Sequence, residues 1–423
     1  MGAGRRAWGV YFPILAKLGK FFQVVAVCDS LAEHARQAGQ ELKAPAFTSL
    51  RELVKARPME AVLAVTPPES HHAVSLFLSA HGVHHVSETP MACSLQQCRQ
   101  MIEASRRNGV VLHVNEQFFR QTLIAFARRI IEAGVIGPIG RATWYHGHTG
   151  YHNNSIWQVL AGGRPRQVNA IRHVMPIRRH LDGAGRWQER EAFNLRLMHF
   201  ESGLLVTDAA GNIKAAMGRY PRPGYLEIDG TEGAIVAQAY DDRPAPWTGR
   251  AEVRLVAPED LERGAYAQSY PIERITMVGH RVNITERLEH DQEETWSLRC
   301  RLPDRVLEYV NPMLEHGIAS GGLGSIAQCL LDFHRQVRQK AAAEFPLEFA
   351  IGSAEMESAF ARSAELGGAP VNLPFDEPSR AEQQALAEQR KQFGVDPMDG
   401  EAMLDVAFPK NYDDRAWQPG SRC

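Results

Sequence analysis

The sequence predicts an α/β protein in two parts. The first is a doubly wound parallel sheet that lacks its first strand; the second is an α+β domain on an open, mostly antiparallel sheet. Three observations carry this. Short apolar runs alternate with helical patterns up to about residue 133. A glycine-rich turn near the start is followed about 20 residues on by a strand ending in an acid. From Val135 the apolar pattern changes to a period of two.

Taken in order, Gly2, Gly4 and Ala7 match G-x-G-x-x-[G/A], whose glycines permit a tight turn and close backbone approach to a pyrophosphate. A lone match of this kind is weak. Its context is the apolar strand 22–29, which ends in Asp29. An acid there accepts hydrogen bonds from the adenosine ribose, and with no arginine beside it NAD is expected rather than NADP. Asp29 equally suits the start of the helix after Ser30, and the two roles are compatible. The motif normally follows a strand, yet only Met1 precedes Gly2; the expectation is a truncated start, because losing a central strand exposes backbone and apolar surface on both neighbours.

Helix 31–43, the segment 44–48 and a helix from Ser49 to Ala56 follow. Met59–Thr66 reads as a buried strand, closed by Pro67-Pro68. Helix 70–81, strand 84–88, helix 94–107, strand 110–114 and helix 121–133 complete the alternation. Glu88-Thr89-Pro90 then lies where the chain turns over the carboxyl edge of the sheet, the edge at which open α/β sheets bind ligands. In the second part, strands are expected at 139–147, 168–176, 193–199, 203–210, 224–229 and 233–238. Helices are expected at 324–340 and 347–365, and an exposed amphipathic helix at 379–394. Residues 240–315 yield no pattern, and 395–423 read as a tail along the surface. The expected division is 1–120, 121–375 and a C-terminal extension 376–423.

Composition bounds the function. Apolar content of 44% and charged content of 23% are ordinary for a globular protein, and a net charge of −2 argues against a nucleic-acid binder. No apolar run approaches the ~18 residues of a membrane span. The glycine turn directly after Met1 gives no expectation of a signal peptide. The six cysteines are scattered without a CxxC pair, as expected of reduced thiols in a cytoplasmic protein.

Six pieces in order, GAGRRA with Pro13 downstream, VVAVCD, AVTPPESHH, HHVSETPMA, EAGVIGPIG and DGTEGAIV, resemble the Gfo/Idh/MocA family of nicotinamide-dependent oxidoreductases, over about residues 2–370. The resemblance implies a Rossmann domain followed by an α/β domain. It implies hydride transfer between NAD(P) and a hydroxyl of a sugar, sugar derivative or cyclitol, and a homo-dimer or homo-tetramer formed through the sheet face. By position, Gly2, Gly4, Arg5, Ala7 and Asp29 would hold the adenosine and pyrophosphate. Thr66, Pro67 and His71 would flank the cofactor, with Glu88, Pro90 and Gln117 nearer the nicotinamide. Where the family has Glu-Lys-Pro this chain has Thr89, whose hydroxyl bonds hydrogen but carries no charge.

The family's Asp-x-x-x-His-x-x-Asp signature falls best on His148, His152 and Ser155, ahead of an apolar helix closed by Gly162. The resemblance makes His152 the acid/base residue, with Thr89 and His148 beside the chemistry; Thr89, Gln117, Tyr151 and Asn153 are expected to bind substrate hydroxyls. A histidine suits the task because imidazoles exchange protons near neutral pH. His146, His148 and His152 lie within seven residues, but without a CxxC or HExxH pattern no metal is expected. Two other readings stay open: NAD-dependent cleavage of a glycosidic bond through transient oxidation and elimination, and a non-catalytic cofactor- or sugar-binding homologue.

Overall fold

The computed structural model describes residues 1–56, 59–146, 150–181, 187–210, 225–238, 249–256, 262, 267–278, 280–288, 295–406 and 408. The chain forms two compact units. One comprises Met1–Glu116, Ile326–Ser358 and the segment from Asp376; the other comprises Gln117–Ser325 and Ala359–Phe375.

The first unit begins with one continuous helical run over residues 5–17, of which Ala7–Tyr11 is π-helical and Phe12–Lys17 is α1. β1 (Val27–Cys28), α2 (Ala32–Leu42), β2 (Ala46–Phe47), α3 (Leu50–Ala56), β3 (Ala61–Ala64), α4 (Pro68–Ala80), β4 (His84–Ser87), α5 (Leu95–Arg107) and β5 (Leu112–Val114) follow. The alternation makes a parallel Rossmann-like arrangement, but in two sheets, β1–β2 and β3–β4–β5. Residues 1–2 lie between them. The Met1 amino group donates to Leu63 O, Val65 N to Met1 O and Gly2 N to Cys28 O, each at 2.8 Å. The strand expected over 22–29 shortens to two residues, because β1 has a full ladder only toward β2. Its partner side receives the single bond from Gly2.

The second unit is built on a 12-stranded sheet. β6 (Ile139–His146) precedes α7 (Gly150–Ala161), β7 (Pro165–Leu181), β8 (Trp187–Phe200), β9 (Leu205–Ala210), β10 (Tyr225–Gly230) and β11 (Gly233–Gln238). Five strands then occupy the stretch that gave no pattern: β12 (Arg250–Leu255), β13 (Gln268–Val278), β14 (Arg281–Thr285), β15 (Ser297–Arg301) and β16 (Val306–Val310). The order is β16-β15-β13-β12-β11-β10-β6-β9-β8-β7-β17, with β17 at Val371–Asn372 and β14 paired to β13. β6 runs parallel to β9; the other pairs are antiparallel. Alternation puts Ala142, Trp144, Met198, Val206, Leu226 and Ile228 at no exposure. α6 (Thr122–Glu132) packs toward β15 and β16, and α7 toward β9, with Trp144 and Trp157 edge to face at 5.7 Å.

Among the described residues, His173–Leu181 of β7 and Trp187–Phe193 of β8 pair only with each other, as a two-stranded ribbon. Ile171, Val174 and Trp187 are exposed on and beside it.

α8 (Gly321–Gln339), α9 (Leu347–Glu365), α10 (Arg380–Phe393) and α11 (Gly400–Met403) end the chain. The linear division expected from sequence changes here, since most of α8, much of α9 and the segment from Asp376 group with the first unit. The reason is specific bonding. Glu382 accepts from Leu95 N at 2.8 Å and from Ser358 Oγ at 2.9 Å, and Gln97 Nε2 donates to Pro397 O at 2.9 Å. The extension expected to lie along the surface is thus seated on the start of α5.

Candidate functional site

The glycine turn is held shut by the acid that follows the next strand. Ala3 N donates to Asp29 Oδ2 at 2.7 Å, and Leu31 N donates to Asp29 Oδ1 at 2.9 Å. Asp29 therefore does fix the entry to α2, through the residue after Ser30, while also clasping the turn; a carboxylate has about four acceptor sites, so others remain. Gly2 sits at φ +83°, and a Cβ there would come within 2.0 Å of Val65 O. Around Gly4 a Cβ would meet nothing within 4 Å, so the turn presents an open face. Ala7 is 1% exposed, its N–H on Gly4 O at 3.0 Å, which is the small third residue the motif calls for. Arg5 is exposed.

Glu88 follows β4 and is buried. Its Oε1 accepts from Tyr11 Oη at 2.5 Å and from Arg6 Nε at 2.8 Å; its Oε2 accepts from Thr89 N at 3.1 Å. Burial pushes this carboxyl up, but Arg6, the Tyr11 hydroxyl and the Thr89 amide outweigh it and hold it below the usual range. Burial and the Glu88 charge raise the Tyr11 phenol well above its ordinary value. Tyr11 Oη in turn accepts from Asn115 Nδ2 at 2.6 Å. The direction of each bond is forced. A carboxylate only accepts, so Tyr11 donates to it, and Asn115 must present its amide nitrogen to Tyr11. The Thr89–Pro90 peptide bond is cis.

His71, 1% exposed on α4, ties two turns of the same edge together. Its Nδ1 lies 2.9 Å from Pro90 O and its Nε2 lies 2.8 Å from Thr66 O. Burial depresses its pKa, partly offset by these carbonyls. Thr66 also receives a bond from Ser70 Oγ at 2.7 Å, and Pro67 caps α4 at its amino end. Gly2, Gly4, Arg5, Ala7, Asp29, Thr66, Pro67, His71, Glu88, Thr89 and Pro90 all belong to the first unit.

His152 and Gln117 belong to the second. His152 is on the first turn of α7, stacked on Phe118 with ring centroids 4.0 Å apart and planes 10° from parallel. Beneath that turn Arg196 donates to Gly150 O at 3.1 Å and to Asp208 Oδ2 at 3.0 Å; Asn153 Nδ2 reaches the same oxygen at 3.0 Å. Asp208 has no exposure, and Arg196 also lies over the Phe360 ring at 4.6 Å. A Cβ at Gly150 would come within 2.2 Å of the Arg196 guanidinium, so the residue opening α7 has to be small. Ser155 Oγ bonds back to His152 O at 2.7 Å, a use within the helix. Gln117 is 9% exposed, and its Oε1 finds no partner among the described residues. His148 lies outside the described residues, as does the His146 side chain. Among the described residues no three His, Cys, Asp or Glu side chains gather as metal ligands.

Sequence reasoning missed Arg6, Tyr11, Asn115, Arg196 and Asp208. The two residues that carried a visible sign are Arg196 and Asp208, charges inside the apolar runs NLRLMHF and LLVTDAA.

Residues 1–116 match the model of a family described as oxidoreductases with an NAD-binding Rossmann fold, GFO_IDH_MocA. A D-apiose dehydrogenase of Paraburkholderia graminis is 27% identical over 235 residues, 50% of this chain and 60% of that one. A 2,7-anhydro-N-acetylneuraminate hydratase of Mediterraneibacter gnavus is 27% identical over 183 residues, 36% of this chain and 48% of that one. The chain thus spans about half the length of these curated relatives. The solved structure of an NAD binding oxidoreductase from Klebsiella pneumoniae has a TM-score of 0.63 at 19% identity, covering 89% of this chain and 98% of that one, a likeness of fold. Over residues 1–116 the chain therefore matches the Gfo/Idh/MocA family of oxidoreductases, and its fold as a whole is like that of the Klebsiella oxidoreductase.

Proposed function

We propose that the protein is an NAD-dependent dehydrogenase acting on a hydroxyl of a sugar, sugar derivative or cyclitol. The observation that carries this reading is the glycine turn clasped by Asp29 and open at Gly4, in the segment that matches the NAD-binding family. These residues fit the cofactor: the open turn admits a pyrophosphate, and an acid directly after β1 suits ribose hydroxyls and disfavours a 2′-phosphate. The nicotinamide, when bound, supplies the hydride acceptor.

The chain's own residues do the rest. His152 takes the hydroxyl proton, its ring plane set by Phe118 and its helix start pinned by the Arg196–Asp208 pair. Thr89 and Gln117 offer neutral hydrogen bonds, with Tyr151 near the chemistry. Gly2, Arg5, Ala7, Thr66, Pro67, His71, Glu88 and Pro90 shape the cofactor seat. Replacing His152 by Ala should lower kcat by about 100-fold or more while leaving NAD affinity within a few-fold. Turnover equal to the wild type would sink the assignment. Assembly as a homo-dimer or homo-tetramer belongs to the same reading, and sedimentation tests it. No described helix is long and apolar enough to cross a membrane.

A second reading is favoured by one position. Thr89 removes the cation of the usual Glu-Lys-Pro step, and a hydratase is among the relatives. If oxidation is transient and serves elimination, no net NADH builds up with substrate. Stoichiometric NADH at 340 nm supports the dehydrogenase instead.

A further inference from the structure

The turn Glu88-Thr89-Pro90 carries an acid and no cation of its own, yet a cation stands beside it. Arg6 comes from the glycine turn, 82 residues earlier, and places Nε 2.8 Å from Glu88 Oε1. Its side chain is 45% exposed, whereas that of Glu88 is 10% exposed. Nε is the nitrogen bonded to the carboxylate and the guanidinium lies over the Tyr11 ring at 5.8 Å, but a guanidinium has five N–H donors in a fixed fork, enough to serve a second acid as well. Glu88 is the opposite case. Its two oxygens take three donors, from Arg6, Tyr11 and Thr89, and its partner Tyr11 is itself locked by Asn115. A carboxylate so occupied has little left to offer a ligand. Its geometric effect is to fix one edge of a guanidinium carried two residues after Gly4, around which a Cβ would meet nothing within 4 Å.

We propose that Arg6 is the anion clamp of the cofactor seat and that Glu88 is a positioning residue acting through it. The anion is the dinucleotide pyrophosphate, the charged part of NAD that a glycine turn of this kind faces. This rests on the cofactor reading above. It differs from the role the family resemblance gives Glu88, which is contact with the nicotinamide end. Tyr11 and Asn115 belong to the same device, since they hold Glu88 from its buried side.

The test is calorimetric titration of the full chain with NAD, at two salt concentrations, for the wild type, Arg6→Gln, Arg6→Lys, Glu88→Gln and the Arg6→Gln/Glu88→Gln double variant. Arg6→Gln should weaken NAD about tenfold or more and flatten its salt dependence, because a charge-assisted contact is lost. Arg6→Lys should keep the salt dependence and recover part of the affinity, having the charge but not the fork. Glu88→Gln should weaken NAD alone but add almost nothing in the Arg6→Gln background. Affinity within twofold of wild type in Arg6→Gln, or additive effects of the two substitutions, would overturn the clamp. Should Arg6→Gln not fold, Arg6→Lys decides: full wild-type affinity there overturns it. A wild type that binds no NAD refutes the cofactor reading itself, whereas NAD binding indifferent to Arg6 refutes only this proposal.

Discussion

Asp208 is a charged side chain with no exposed atom, and its compensation comes from Arg196 and Asn153 at 3.0 Å. Removing one partner of such a pair strands the other charge, at a cost of about 3–5 kcal/mol, whereas replacing both by apolar groups of like volume is often neutral. Asp208→Asn should therefore lower unfolding stability by about that amount, and Arg196→Met/Asp208→Leu by much less. Urea unfolding of the three proteins checks this; a double variant as weak as Asp208→Asn would refute the argument. At this scale the sequence is half legible. Gly2, Ala7, Asp29 and Glu88 are visible because motif and strand pattern place them. Tyr11 and Asn115 are not, since their bonds to Glu88 and to each other span 77 and 104 residues. No local spacing encodes contacts of that reach.

Among the elements, β4 carries a buried titratable group in the middle of the parallel sheet. His85 is 1% exposed, its Nε2 2.7 Å from Ser75 Oγ and its Nδ1 3.1 Å from Val83 O. Burial holds its pKa down at about 4, against an ordinary 6.5. The unfolded chain then binds a proton at a pH where the folded one does not. Its contribution is present above pH 6.5 and is lost as pH falls toward 4, by about 3 kcal/mol in all. His85→Gln should flatten the stability–pH slope between these limits, read from denaturant midpoints at each pH. An unchanged slope would show that His71, His72 or the carboxylates carry the acid sensitivity instead. Element boundaries were legible where one face is buried. α9 spans 347–365 as expected, and β9 to β11 fall within two residues of their expected bounds. β14 was not legible, because its side chains from Arg281 to Ile284 are all exposed and no alternation is written into them.

For the molecule as a whole, the lesson lies in the C-terminal segment. Its composition, charged and rich in Gln and Ala, reads as solvated helix, and α10 does expose most of itself. What the sequence hides is that Glu382 meets the first turn of α5, 287 residues away, and that Gly400 lies against Leu76 of α4. A chain ending at Phe375 keeps the Ser94 cap of α5 but loses the Glu382 acceptor on Leu95 N and the buried Met403. It should be less stable by about 3 kcal/mol or more, which a shift of the urea midpoint measures. An unchanged midpoint would mean the segment is a passenger.

The β7–β8 ribbon has a consequence for the protein as a colloid. A two-stranded ribbon offers neighbouring molecules an unpaired strand edge, and the apolar side chains of Ile171, Val174 and Trp187 make that edge adhesive. Exposed Arg172, Arg178 and Arg190 on or next to the same ribbon, beside the paired Arg179 and Glu189, are its guard, since like charges keep approaching edges apart. That guard acts only over the screening length, which shrinks from about 10 Å in 0.1 M salt to about 3 Å in 1 M. Concentrated solutions should therefore stay dispersed at low ionic strength and scatter more light as salt is raised, the reverse of salting-in.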